Sequence, residues 1–200
     1  MAAKGLFIVF EGIDGAGCET QSKLLQKKLK GSVLFRYPDC TDPYGRLIKK
    51  YLEGKCRIHP EKIFMTFALN QMKDREKIGK LLEAGKIVVS DRYITSNFAY
   101  QCNGALPIDK ALKFAEMFEF PKPDLIFYLD IKPEMAMERK RREKTLDIYE
   151  SDLKKQRNVR KKYLNLVLNH VWSHNWVLVN GEEKIETINK KIMDEVLKMV

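Results

Sequence analysis

The chain has 200 residues, of which 44% are hydrophobic and 32% charged, and its 37 Lys/Arg against 27 Asp/Glu give a formal net charge of +10. That length suits a single domain, 1–200, with a sizeable core, and that balance of apolar and charged residues excludes a disordered or collagen-like chain. No apolar run reaches ~20 residues, against a membrane-spanning helix, and four scattered cysteines without a C-x-x-C pair suit reduced thiols in the cytoplasm rather than disulfides or zinc.

In chain order, the first strand is Leu6–Phe10, entered at once and without the layout of a signal peptide. The stretch Phe7–Gln21, FIVFEGIDGAGCETQ, then runs into a glycine-rich turn and the helix Gln21–Lys30. Gly12 and Gly17 have the spacing of a P-loop, G-x-x-x-x-G-K-[ST], whose backbone N–H groups cradle phosphates at a helix N-terminus. Cys18 stands in place of the lysine and Glu19 in place of the magnesium-binding hydroxyl. The cradle Gly12, Ile13, Asp14, Gly15, Ala16, Gly17, Cys18, Glu19, Thr20 is kept, while its charge moves two units toward negative. A thiol at a helix N-terminus is expected to have a lowered pKa, so Cys18 should alkylate faster than the other three cysteines.

A second strand, Val33–Phe35, leads to Arg36-Tyr37-Pro38-Asp39, a loop from which Arg36 reaches toward a phosphate. Pro60–Gly85 has helical spacing and stops at Gly85. On it, Phe67 and Gln71 are four apart and share a face, either as core and polar surface or as a stacking ring and an amide reading a base edge. The strand Ile87–Ser90 ends in Asp91-Arg92-Tyr93, where Arg92 would grip a transferring phosphoryl group and Asp91 would hold water around Mg²⁺. Tyr100-Gln101 lies in a short helical stretch after it, and a helix follows at Ile108–Phe118. The strands Leu125–Leu129 and Val177–Val179 alternate with helices Pro133–Arg142, Lys154–Asn169 and Ile185–Met199. Short apolar runs of this kind, alternating with helices, specify an α/β fold, a doubly wound parallel sheet of about five strands flanked by helices. Ligands then sit at the carboxyl ends of the strands, where the glycine loop, Asp91-Arg92 and Asp130 converge.

The positive charge is concentrated in Met137–Lys162, with eleven Lys/Arg and five Asp/Glu. That is a solvated helix face, or a phosphate clamp; a nucleic-acid surface has the same unspecific signature. Arg139, Arg141 and Arg142, followed by a polar stretch to Glu150, have the composition of a short arginine-rich lid over 139–150.

Together these segments resemble the thymidylate kinases, a family of P-loop nucleoside-monophosphate kinases. The resemblance rests on FEGIDGAG…ETQ, RYPDCT, DRY, AYQ, KPDLIFYLDI, ERKRREK and VNG, and covers nearly the whole chain. It implies a P-loop kinase fold and transfer of the ATP γ-phosphoryl group to dTMP, with Mg²⁺. It implies the donor phosphates on Gly12–Thr20, with Asp14 between donor and acceptor. Arg92 and Arg36 would take the acceptor phosphate, Phe67 would stack on thymine, and Tyr100, beside Gln101, would disfavour a 2′-hydroxyl. Arg139, Arg141 and Arg142 would form the lid clamp, with Arg141 the catalytic arginine, and a cytoplasmic homodimer working on nucleotides rather than nucleic acid is usual. The chain departs from the family at Cys18 and Glu19, at Gln71 where an arginine is usual, and at Ile148 within the lid. A lid arginine, Arg139 or Arg141, would replace the lysine, and Glu19, with Asp91, would ligate Mg²⁺, with the Thr20 hydroxyl as the other choice. Two further readings stay open: a nucleotide-binding protein without catalysis, and a kinase for another pyrimidine deoxynucleotide.

Overall fold

The structure, a computed structural model, describes residues 5–143 and 147–199. Five parallel strands, β1 (Leu6–Gly12), β2 (Val33–Arg36), β3 (Ile87–Asp91), β4 (Leu125–Asp130) and β5 (Trp176–Asn180), form one sheet in the order β2-β3-β1-β4-β5. The central strand β1 is apolar without alternation because both its faces are covered: Phe7, Ile8, Val9 and Phe10 are all 0% exposed.

The flanking helices are α1 (Cys18–Lys28), α2 (Pro43–Leu52), α3 (Pro60–Met72), α4 (Arg75–Glu83), α5 (Ile94–Tyr100), α6 (Ile108–Met117), α7 (Pro133–Glu143), α8 (Leu153–Leu168) and α9 (Ile185–Val196). None is long and apolar enough to cross a membrane. The chain leaves β1 toward the β2 edge and leaves β4 toward β5, so the carboxyl ends of β1 and β4 flank the crevice of a doubly wound sheet. The glycine loop opens into that crevice.

Two elements differ from the sequence expectation. Pro60–Gly85 is two helices, broken at Lys73–Asp74. There Lys73 pairs with Asp39 and Asp42, and Asp74 accepts from the Tyr37 hydroxyl at 3.0 Å. The segment after Pro38 holds α2, capped by the Asp42 carboxylate accepting from Gly45 N–H at 2.6 Å, with Pro43 in its first turn.

Candidate active site

The glycine loop is shaped by two residues with positive φ. Gly15 (φ 90) faces α7 so closely that a Cβ would sit 2.5 Å from the Ala136 carbonyl oxygen, and Gly17 (φ 100) turns the chain into α1. No side chain caps α1, so its first-turn N–H groups and dipole remain available to an anion. Residues Ile13 to Thr20 line a cavity together with Arg36, Asp91, Arg92, Arg139, Lys140 and Arg142. Gly12 contributes its carbonyl, which accepts from Arg92.

Cys18 overturns the expectation of a reactive thiol. It is 5% exposed, its Sγ lies 3.1 Å from where a Cβ on Gly12 would stand, and burial pushes the thiol far above its ordinary pKa, against the pull of Arg92. The helix N-terminus acts locally, but desolvation against the β-strands outweighs it.

Asp14 and Arg92 form the centre of the site. Arg92 donates to Asp14 Oδ1 at 2.6 Å and to the Gly12 carbonyl at 2.8 Å; Tyr100 donates its hydroxyl to Asp14 Oδ2 at 2.9 Å. Beneath them, Glu11 of β1 is fully buried and accepts from Tyr93 N–H at 3.1 Å, Ser96 Oγ at 2.6 Å, Tyr163 Oη at 2.7 Å and the Thr95 hydroxyl. Desolvation raises the Glu11 carboxyl above its usual range, while Arg92 and the hydroxyl donors pull it down. The four bonds tie the end of β1 to the turn that carries Arg92 and to α8.

Glu19 is tied up by cations from outside its own loop. Arg36 grips it with two nitrogens, at 2.7 and 2.6 Å, and Lys23 with one at 2.7 Å. Partial burial works against its charge, but the Lys23 hydrogen bond and the Arg36 charge hold it below the usual carboxylate range. Arg36 also lies 3.5 Å from Asp91 Oδ2. Burial pushes Asp91 up to about 6, with Arg92 and Arg36 opposing. Among the described residues no cluster of three or more metal-ligating side chains exists. The two carboxylates on this cavity nonetheless fit Mg²⁺, which takes one or two protein carboxylates and completes its shell with phosphate and water. Asp130, expected to converge here, instead makes a two-pronged ion pair with Arg160, 2.7 Å on each side, and lines none of these cavities.

The positive charge over the loop comes from α7. Arg139 is spent on structure, donating to the carbonyls of Gly181 at 3.0 Å and Gly15 at 3.5 Å. Arg142 lines the cavity around the glycine loop, and Lys140 lines both it and the wide groove beside it. Arg141 is exposed and lines none of them, because on a helix 139 and 142 share a face that 141 does not. Residues 144–146 of the expected lid lie outside the described residues. Its far end packs on α2: Ile148 N–H donates to the Leu52 carbonyl at 3.1 Å, and the Tyr149 and Tyr51 hydroxyls meet at 3.1 Å.

Next to the Asp14–Arg92 pair lies a largely apolar pocket, lined by Phe67, Gln71, Asn97, Tyr100, Gln101, Asp147 and Tyr149 among others. Burial pushes the half-buried Asp147 up to about 6; the nearby Asp14 charge adds to this, and N–H groups of Glu150 and Tyr149 oppose it. Its folded pKa is raised, so its stabilising contribution is fully present below the ordinary value of 3.8 and is lost as pH rises through about 6. Asparagine keeps the Oδ1 that accepts from Tyr149 and Glu150 N–H. Asp147→Asn is therefore expected to raise Tm at pH 7.5 by about 2–4 °C, the shift that ~1 kcal/mol makes at this chain length, and to leave it unchanged at about pH 3, below both values. Equal shifts at both pH values would remove Asp147 as the cause.

The family model described as thymidylate kinase matches residues 10–192. The chain belongs to the thymidylate kinase family. It is 32% identical over 200 residues to the thymidylate kinase of Plasmodium falciparum, covering 98% of this chain and 91% of that one. It is 32% identical over 197 residues to the thymidylate kinase of Dictyostelium discoideum, covering 96% and 85%. The solved thymidylate kinase of Candida albicans superposes with a TM-score of 0.82 at 24% identity, over 99% of this chain and 93% of that one, a likeness of fold.

For a thymidylate kinase family member, the residues singled out in sequence sort cleanly. The structure gathers Asp14, Arg36, Asp91, Arg92 and the loop 13–20 around one cavity, and Phe67, Gln71, Tyr100 and Gln101 around the adjoining pocket. Sequence reasoning passed over Asn97, Lys140 and the buried Glu11 network. Asn97 was within reach of it, one helical turn before Tyr100 and Gln101. Glu11 had no local signal, since its partners are 82 to 152 residues away.

Proposed function

We infer that the protein is a dTMP kinase, transferring the γ-phosphoryl group of ATP to dTMP to give dTDP and ADP. The observation that carries this reading is the position of Asp14 and Arg92, which line the phosphate cavity, the apolar pocket and the wide groove alike. A phosphoryl group passing from a donor on the glycine loop to an acceptor whose base fills the pocket crosses at that junction. Phosphoryl transfer needs positioning and charge more than covalent chemistry. Arg92 supplies forked donors to the oxygens of the group in flight, and Asp14, held by Arg92 and Tyr100, faces the acceptor sugar. Phe67 stacks on the base and Tyr100 with Gln101 closes the sugar side. Glu19 and Asp91 would hold Mg²⁺ against the donor phosphates, where it would neutralise developing charge. Arg36, freed from Glu19 as phosphate arrives, binds the acceptor phosphate. Exposed Leu47, Met65 and Met117 on α2, α3 and α6 support a homodimer, and four free cysteines a cytoplasmic location.

The charge of the missing loop lysine is assigned to Lys140 with Arg142. Lys140→Ala is expected to lower kcat by about 10²–10³, the worth of one transition-state donor, while Arg141→Ala stays close to the parent enzyme. The reverse ranking would return the role to Arg141. The reading as a whole is tested by ADP release from Mg·ATP with and without dTMP. Release that requires dTMP supports it; protein that binds ATP yet releases no ADP with any nucleoside monophosphate would make the chain a nucleotide-binding protein without catalysis.

A further inference from the structure

The apolar pocket ends on two amides. Gln71 of α3 is 2% exposed and Asn97 of α5 is 1% exposed, and both line the pocket with Phe67 and Tyr100. Gln71 Nε2 donates to Asn97 Oδ1 at 3.4 Å, at the long limit of a hydrogen bond. Gln71 Oε1 and Asn97 Nδ2 are left with no partner. Protein interiors pair nearly all such atoms, so an idle acceptor and an idle donor on two touching amides mark a place for a ligand edge.

What the pair offers does not depend on which way the amides are drawn. Turning both over makes Asn97 Nδ2 the donor to Gln71 Oε1 and leaves Gln71 Nε2 and Asn97 Oδ1, again one donor and one acceptor. An arginine at position 71 would offer donors alone. Thymine and uracil present an N3–H donor beside the O4 acceptor, and cytosine presents the N3 acceptor beside the N4 amino donor. Each is the reverse of the other, and the amide pair satisfies either by turning over.

Building on the kinase reading above, we propose that this pocket accepts the pyrimidine edge in both polarities, so that dCMP is a phosphoryl acceptor alongside dTMP. The test is steady-state kcat/KM of the full-length chain with Mg·ATP and dTMP, dUMP or dCMP. The dUMP–dCMP pair isolates the edge, since neither base has a 5-methyl group. The expected ratio for dCMP against dUMP is within about tenfold, whereas a site built for one polarity rejects the other by about 10² or more. Gln71→Arg is expected to cut dCMP turnover at least about 10²-fold and to change dUMP less than about tenfold. Turnover of dTMP and dUMP with dCMP more than a hundredfold (~10²) below dUMP would overturn the proposal on the parent protein alone, whatever the fate of the variant. A Gln71→Arg protein that melts like the parent yet loses all three substrates equally would also overturn it, because the amide would then carry no polarity. Failure with every acceptor, dTMP included, would instead sink the kinase reading on which the proposal stands.

Discussion

Arg92→Ala is expected to lower dTMP-dependent kcat by about 10³–10⁵, the range that one arginine on a transferring phosphoryl group supplies. Arg92 has φ 67, in the left-handed region that non-glycine residues rarely occupy, and is held there by its own N–H donating to the Phe10 carbonyl at 2.9 Å. This turn brings the side chain back over β1, where it bonds the Gly12 carbonyl and Asp14 and lies 5.5 Å from the Tyr100 ring centre. Alanine removes the charge and the fork and leaves Asp14 with Tyr100 alone. Arg92→Lys keeps the charge but cannot bond Gly12, Asp14 and a phosphate oxygen together, and should still cost about 10²-fold. ADP-release kinetics read both variants, with melting curves to show that they fold. A kcat within tenfold (~10¹) of the parent in Arg92→Ala would take Arg92 out of the transition state.

The second large effect falls on stability. Glu11→Ala removes the acceptor of four buried donors at once, Tyr93 N–H and the hydroxyls of Thr95, Ser96 and Tyr163, of which the last two keep only each other at 3.0 Å. Each unsatisfied buried donor costs about 1–3 kcal/mol. Water entering the space left by the side chain offsets part of this, so a net loss of at least ~3 kcal/mol is expected, a fall in Tm of about 6–12 °C. Glu11→Gln retains one acceptor oxygen and should lose less. Activity should fall in step, because the turn bonded to Glu11 carries Arg92. Melting within 2 °C (about 1 kcal/mol or less) of the parent would mean that these donors find other partners and that the network does not hold the turn.

How much of this was legible in the sequence depends on the range of the interactions involved. The three central strands could be read because strands covered on both faces are nearly continuous apolar runs, as in Leu6–Gly12 and Leu125–Asp130. The glycine loop could be read because two positive-φ positions, 15 and 17, demand glycine locally. The start of α2 has its local signals too, Asp42 as cap and Pro43 behind it. The break between α3 and α4 had none. It falls at Lys73–Asp74, without glycine or proline, and is set by Asp39, Asp42 and Tyr37 arriving from the loop after β2.

By itself, then, the sequence determined the α/β alternation, the parallel sheet, the glycine loop and most of the residues that line the cavity around it, because these follow from backbone geometry and from hydrophobic pattern over a few neighbouring positions. Only the tertiary structure decided the electrostatics. Cys18 stands at a helix N-terminus that favours a thiolate, yet it is buried against β-strands that forbid one. Glu19 has the right place for a metal ligand, yet Arg36 of β2 holds both its oxygens. Lys140, not Arg141, lines the cavity around the glycine loop, where Gly15 packs against Ala136 of α7. Charge, desolvation and helix orientation depend on what folds against a residue from far along the chain, and no local pattern in the sequence records that.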